Sequence, residues 1–215
     1  MHKETTINAI RTDYKRSKLT ENEVKKNPIE QFKFWFEQAI KACVIEVNAM
    51  TLATVDREGS PSARIVLLKG VEDNGFVFFT NYNSQKGQDL IVNNKASLVF
   101  FWPDLERQVR IKGFVDKTSS EVSDSYFHSR PIGSQLGAWA SPQSTIIADR
   151  AVLESNLERI TQKYKSTSVP RPPHWGGYIV QPITVEFWQG RPNRLHDRIL
   201  YTKKSNYWLI ERLAP

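Results

Sequence analysis

The 215-residue chain carries 30 Lys and Arg against 23 Asp and Glu, a formal net charge of +7, and 40% of its residues are hydrophobic. That composition supports one good core and is too short for two large domains of separate function. The longest apolar runs, Ala96 to Trp102 and Ile65 to Leu68, fall well below the ~20 residues that span a bilayer, so no membrane contact is expected. The opening Met1-His2-Lys3-Glu4 has no apolar export segment, which gives a cytoplasmic expectation. Cys43 is the single cysteine, which excludes an internal disulfide and a thiolate cluster built from one chain. His2, His128, His174 and His196 are too scattered for a zinc motif, and no metal is expected. The basic residues stand singly rather than in a tail, a pattern that suits a pocket for small phosphates better than a nucleic acid.

Residues 1–26 are polar and charged and are expected to form an N-terminal arm, mobile unless something docks it. The remainder, 27–215, is expected to be one domain. Asn27-Pro28-Ile29-Glu30 predicts a helix start, with Asn27 as the cap and Pro28 in the first turn. Ile29, Phe32, Phe36, Ala39, Ile40 and Cys43 recur at helical spacing, which makes Cys43 a packed thiol rather than a nucleophile. Strands are predicted at 50–56, 62–71, 76–80, 96–102 and 107–115, with a short helix at 87–93 among them. Hairpins this closely spaced tend to close into a barrel, which removes exposed edges. Thr118-Ser119-Ser120-Glu121 predicts a capped helix to about Ser129, and 147–164 has helical periodicity. Pro170-Arg171-Pro172-Pro173 then breaks the chain before strands at 178–180, 184–189, 198–202 and 207–211.

No Gly-rich phosphate loop occurs, so any bound phosphate must be held by side chains. Arg64-Ile65-Val66-Leu67-Leu68-Lys69 puts a cation at each end of an apolar strand. By itself that is most often a solvated edge. The odd Arg64-to-Lys69 spacing sends the two side chains to opposite faces of a regular strand unless the strand is bulged or the two serve different ligands.

Further segments follow in order: Phe79-Thr80 with Ser84-Gln85-Lys86, then Gln108, then Tyr126 with Arg130 and Ser134, then Gln143-Ser144. Near the end stand Trp188-Gln189-Gly190, Arg194-Leu195-His196-Asp197-Arg198 and the closing Arg212-Leu213-Ala214-Pro215. In order and spacing, across essentially the whole chain, this set resembles the pyridoxamine 5'-phosphate oxidase family. The resemblance implies a mainly β fold with helices (α+β), an antiparallel split β-barrel that binds flavin mononucleotide (FMN). It implies a homodimer with FMN and the active site at the subunit interface. The activity it implies is oxidation of pyridoxamine and pyridoxine 5'-phosphates to pyridoxal 5'-phosphate, with oxygen reduced to hydrogen peroxide and ammonia released from the amine.

Carried over by position, the resemblance assigns the cofactor to the strand from Arg64 to Lys69, including Ile65, Val66, Leu67 and Leu68. Phe79, Thr80, Ser84, Gln85 and Lys86 join it, as do Gln108, Gln143, Ser144, Trp188 and Arg198, some of them from the second subunit. Arg64 and Lys86 would neutralise the FMN phosphate, with Thr80 and Ser84 donating hydrogen bonds. The substrate phosphate falls to Lys69, Tyr126, Arg130 and Ser134, with Tyr126 and Arg130 four apart on one expected helical face. Arg194, Leu195 and His196 face the pyridine ring, with Arg194 and His196 as catalytic candidates, and Arg11 and Tyr14 belong to a covering segment. Two departures stand out: the family commonly has Tyr where Phe79 stands and Arg where Gln85 stands, so the pocket brings one cation fewer.

Each residue also has a plain structural alternative. Trp188 in a strand is commonly barrel filling, Arg130 before Pro131 a helix-end cation, and His196 beside Asp197 a turn stabiliser. Two rival functions differ in sequence demands. A flavin or quinone reductase on the same barrel would not need Tyr126, Arg130, Ser134 and the Arg194-Leu195-His196 segment. A basic barrel binding single-stranded nucleic acid would use Phe100, Phe101 and Trp102 as its stacking platform.

Overall fold

The computed structural model describes Ile7 and residues 13–215. The elements in chain order are α1 (Pro28–Lys41), β1 (Ala49–Val55), β2 (Pro61–Leu67), β3 (Gly70–Glu72), β4 (Gly75–Asn81), α2 (Gln85–Val92), β5 (Lys95–Trp102), β6 (Arg107–Lys117), α3 (Ser120–Ser129), α4 (Ile132–Ala140), α5 (Ala151–Lys163), β7 (Trp175–Gln189), β8 (Asp197–Lys203) and β9 (Trp208–Arg212). The strand registers are antiparallel, so the fold is mainly β with helices. Among the described residues no helix is long and apolar enough to cross a membrane.

Contacts group the chain into two compact units, with β5, β6 and β7 each contributing one half to either. The central unit comprises Asn48–Leu98 and Lys112–Ile183. Its strands run β2-β1-β5-β6-β7-β4-β3, and Met50, Leu52, Phe76, Phe78, Leu98 and Val180 are buried in it. A smaller apolar cluster of Phe127, Val169 and Trp175 packs with Phe79, Tyr126 and Trp139. The terminal unit holds the described N-terminal residues to Val47, Val99–Ile111 and Thr184–Pro215. Its strands run β5-β6-β7-β8-β9. Phe32 of α1 lies 4.9 Å from Phe100, and Trp35 meets Phe187 edge-on at 5.1 Å.

Local chemistry explains most boundaries. Asn27 Oδ1 accepts from the Ile29 N–H at 2.8 Å and starts α1, as the sequence predicts. The buried stripe of α1 is Ile29, Phe32, Trp35 and Ala39, so Trp35 takes the place expected for Ile40, which is 53% exposed. The packed-thiol expectation for Cys43 is corrected: it lies beyond the helix end, exposed, with φ of 54°. The α3 cap is Ser119, whose side chain accepts from the Val122 N–H, one residue later than the Thr118 box. The single expected strand 62–71 is two strands, broken at Leu68-Lys69, and 178–180 with 184–189 forms one long β7. Helix α4 has no counterpart in the sequence expectation.

Residues 13–26 are docked on the terminal unit. Arg16 N–H donates to Glu106 at 3.0 Å and Leu19 N–H to Asp197 at 3.1 Å. Leu19 is buried, and the Tyr201 hydroxyl donates to the Lys25 carbonyl at 2.7 Å.

Candidate active site

A cavity of about 490 Å³ opens in the central unit. Arg64, Lys69, Lys86 and Arg130 line it, and among the described residues no Asp or Glu does. These are the cations that the sequence reading assigned to two phosphates, and one chamber collects them. The break after β2 makes this possible. The Lys69 N–H bonds the Val77 carbonyl at 2.8 Å, which turns the chain into the β3 hairpin, so Lys69 escapes the alternation that would separate it from Arg64.

Arg64 is fixed from behind. Its Nη1 donates to the Thr54 hydroxyl at 2.6 Å and to the Leu52 carbonyl at 3.3 Å, and its Nη2 donates to Ser62 at 2.7 Å. The antiparallel register Leu52↔Arg64 and Thr54↔Ser62 sets these partners beside it. Asp89 of α2 stands 3.8 Å from Nη2. Lys86, on the same helix, is buried; its Nζ donates to Ser84 at 3.2 Å and to Gln143 Oε1 at 3.3 Å. The Thr80 hydroxyl reaches the same Gln143 oxygen at 3.2 Å. Burial holds the Lys86 ammonium below its ordinary range, the nearby Arg64 pushes the same way, and Asp89 opposes both. Burial also lowers Arg64, again against Asp89. Two desolvated cations share one carboxylate, a balance that an anionic ligand completes.

The opposite wall is aromatic. Phe79 stacks on Tyr126 at 4.0 Å and on Trp175 at 5.6 Å. A side chain at Gly177, opposite Phe79 in the β4–β7 register, would collide with Thr118 and come within 2.8 Å of the Phe79 ring, so this glycine gives the ring its room. Arg130 lies over the Trp175 face at 4.7 Å, and Lys69 Nζ lies 5.9 Å from the Tyr126 ring. Arg130 is the C-cap of α3 with extended backbone, so the expected shared helical face is corrected: Tyr126 and Arg130 both reach the cavity, but only Tyr126 does so from the helix. The Arg130 Nη1 is buried without a hydrogen-bond partner among the described residues, and burial lowers the guanidinium. A buried donor of this kind is costly unless a ligand accepts from it. Ser134, Gly137, Ala138 and Ser141 bring α4 and its end to the cavity as a face of small side chains.

The terminal unit gathers a second set. The Trp188 and His196 rings lie 4.7 Å apart, and Tyr14 meets Trp188 edge-on at 5.6 Å and His196 at 5.8 Å. The Arg191 N–H donates to His196 Nδ1 at 3.1 Å, which leaves Nε2 to carry the proton of the neutral ring. Burial, then Arg194, keeps His196 below its ordinary value of 6.5. Arg194 and Leu195 are exposed, and Arg194 follows Asn193 in the left-handed region with φ of 60°. Arg198, paired with Trp188 across β7–β8, donates to Glu186 at 2.9 Å and to the Ala214 carbonyl at 2.7 Å. Gln108 is half-buried in β6.

Of the other assigned positions, Ile65, Val66, Leu67, Phe79, Thr80, Tyr126, Ser134 and Gln143 line the cavity. Leu68 and Ser84 are buried outside its lining. Gln85 is exposed outside it and donates to Asp89 at 2.8 Å. Ser144 does not line the cavity and has φ of 69°. Arg11 lies outside the described residues. Sequence reasoning missed Asp89, Thr54, Asn81, Trp175 and, beside Ser134, the small residues Gly137, Ala138 and Ser141. A tryptophan directly after the proline-rich break was the one available signal.

A family model described as pyridoxamine 5'-phosphate oxidase matches residues 36–164. The chain belongs to the pyridoxamine 5'-phosphate oxidase family. A second model, described as the pyridoxine 5'-phosphate oxidase C-terminal dimerisation region, matches residues 175–215. A pyridoxine/pyridoxamine 5'-phosphate oxidase of Cyanothece sp. (strain PCC 7425 / ATCC 29141) is 58% identical over 98% of this chain and 99% of its own length. Its counterpart from Burkholderia thailandensis is 55% identical over 98% and 100%. Among solved structures, PhzG from Burkholderia lata 383, in complex with tetrahydrophenazine-1-carboxylic acid, superposes with a TM-score of 0.86 at 29% identity, covering 90% of this chain and 95% of that one. A pyridoxamine 5'-phosphate oxidase-related, FMN-binding protein from Nostoc punctiforme PCC 73102 reaches a TM-score of 0.69 at 19% identity, covering 89% and 100%, a likeness of fold alone. The expected antiparallel split barrel is thus the fold, and membership of the family makes the chain a flavin-dependent oxidoreductase with a dimerisation region.

Proposed function

We propose that the protein oxidises pyridoxamine and pyridoxine 5'-phosphates to pyridoxal 5'-phosphate, with FMN as cofactor and oxygen as final acceptor. The observation that carries this reading is one chamber lined by Arg64, Lys69, Lys86 and Arg130 and, among the described residues, by no carboxylate. Four cations suit two phosphomonoesters, one on the cofactor and one on the substrate. The buried Lys86 and half-buried Arg64 fit the flavin phosphate, with Thr80 and Ser84 beside them. The partnerless Arg130 Nη1 fits the substrate phosphate, together with Lys69 and the Tyr126 and Ser134 hydroxyls.

When bound, FMN supplies a two-electron acceptor for the hydride leaving the substrate's exocyclic carbon, and oxygen restores it with formation of hydrogen peroxide. The protein's residues position the reactants. Lys69 and Arg130 anchor the substrate's phosphate end, which limits the ring to few orientations. His196 offers an Nε2 proton and Arg194 a permanent cation to the ring substituents. With the amine substrate, water hydrolyses the resulting imine and ammonia leaves. The match of residues 175–215 to a dimerisation region supports a homodimer in which some of Gln108, Gln143, Ser144, Trp188 and Arg198 reach the cofactor from the second copy.

The test is to supply the purified protein with FMN and each substrate and to measure pyridoxal 5'-phosphate, peroxide and ammonia. One peroxide per aldehyde with either substrate, and ammonia from the amine alone, is expected. Bound FMN with no aldehyde from either, or turnover confined to a tetrahydrophenazine carboxylate, would overturn the proposal.

A further inference from the structure

We propose that the buried Thr54–Asp89 pair is a positioning device that sets the Arg64 guanidinium for recognition of a phosphomonoester, with Gln85 acting on Asp89 rather than on the ligand. The inference rests on the proposed flavin-phosphate role of Arg64 and Lys86. Thr54 and Asp89 are each 1% exposed, and neither lines the cavity. Whatever they contribute to binding must pass through a neighbour.

The bonds around them have one possible polarity. A carboxylate only accepts and a guanidinium only donates, so the Thr54 hydroxyl gives its proton to Asp89 Oδ2 at 2.6 Å and receives Arg64 Nη1 at 2.6 Å. With Leu52 and Ser62 also engaged, these bonds leave Arg64 its Nε–H and one Nη2–H for a ligand. The guanidinium plane is therefore chosen before any ligand arrives, and less side-chain freedom is lost on binding.

Asp89 has a second task. It lies one helical turn beyond Lys86 on α2, and it counters the repulsion between Lys86 and Arg64 while remaining out of the cavity. Its Oδ1 is held by Gln85 Nε2 at 2.8 Å, an i,i+4 bond along the same helix. The neutral amide orients the carboxylate, and Arg64 and Lys86 are the cations proposed for the cofactor phosphate, which makes the setting of Arg64 consequential.

The experiment titrates the full-length protein, freed of flavin, with FMN and with riboflavin, which lacks the phosphate, following flavin fluorescence. Wild type should favour FMN strongly. Thr54→Val should weaken FMN about tenfold while leaving riboflavin affinity in place, and Thr54→Ser should restore most of the loss. Gln85→Ala should weaken FMN by a few-fold, again without touching riboflavin. Equal affinity of wild type for the two flavins overturns the flavin-phosphate reading itself. Wild-type selectivity that survives in Thr54→Val overturns the relay alone. Equal loss of both flavins in Thr54→Val shows a merely structural role, and a Thr54→Ser variant as weak as Thr54→Val removes the hydroxyl from the account. Should Thr54→Val not fold, Gln85→Ala carries the test from the exposed side of the same carboxylate, and unchanged selectivity there overturns the proposal.

Discussion

In the central unit the two cations proposed for the flavin phosphate are held from behind: Arg64 by Thr54, Leu52 and Ser62, and Lys86 by Ser84 and Gln143. In the terminal unit Arg194 stands exposed on a left-handed turn, and His196 is steadied by one backbone N–H and two aromatic neighbours. On the proposed function, the contrast follows from what each set would bind. A phosphate is a fixed charge of fixed shape, and rigid, pre-oriented donors gain most from it. A flat ring with small substituents is met by faces and edges, where tolerance matters more than rigidity. Damage in the first region should therefore cost binding, and damage in the second should cost turnover.

The largest effect is expected for Lys86→Met, which removes one of the two cations from the desolvated pair. FMN affinity should fall by about 100-fold in equilibrium dialysis; a loss under about fivefold would break the contrast between the two regions. Next comes Arg130→Ala. It should raise the KM for pyridoxine 5'-phosphate about 30-fold with flavin content unchanged, because the proposed function gives its buried, partnerless Nη1 to the substrate phosphate. Co-loss of flavin would merge the two phosphate ends that the account separates.

A smaller effect should follow Gly190→Ala, where the new methyl would lie 2.7 Å from the Tyr14 ring and 3.0 Å from Glu106. Tyr14 should leave Trp188 and His196, and trypsin should cut after Lys15 and Arg16 several-fold faster, with FMN affinity retained. Unchanged cleavage would mean that this contact does not hold the segment.

The smallest is a titration shift. Burial and Arg194 hold His196 below 6.5, so in the window just under that value the folded chain binds fewer protons than the unfolded one. This contribution to stability is present above 6.5 and is lost as pH falls through the folded His196 value. Arg194→Ala should move that midpoint up towards 6.5, as read by NMR of the imidazole nitrogens, while flavin stays bound; a downward shift would contradict the assigned cause.

Much of this was legible in the sequence because it is local. Asn27-Pro28 marks a helix start through its own backbone chemistry, and the strands show in runs of β-branched and aromatic residues between turns. The cations Arg64, Lys69, Lys86 and Arg130 were legible through their order and spacing, which carry the family resemblance. Their common chamber depends on the break at Leu68-Lys69, and nothing in an apolar run announces that break. The Thr54–Asp89 bond joins residues 35 apart, so neither residue signals its role locally. Asp89 reads as an ordinary polar helix residue until the fold buries it. Helix α4 was missed because Gly133 and Gly137 weaken its propensity. Cys43 was misread because helical periodicity was carried past the point where the backbone turns left-handed.

The central claim is that side-chain cations, rather than a backbone cradle, hold the flavin phosphate in the central unit. Phosphorus NMR of FMN bound to the full-length protein tests it most directly. A phosphomonoester in water takes up its second proton near pH 6. Held by Arg64 and Lys86 it should stay dianionic, with a resonance that does not move between about pH 5 and 8. A bound phosphate that titrates near 6, as it does free in solution, would place it in water and contradict the account.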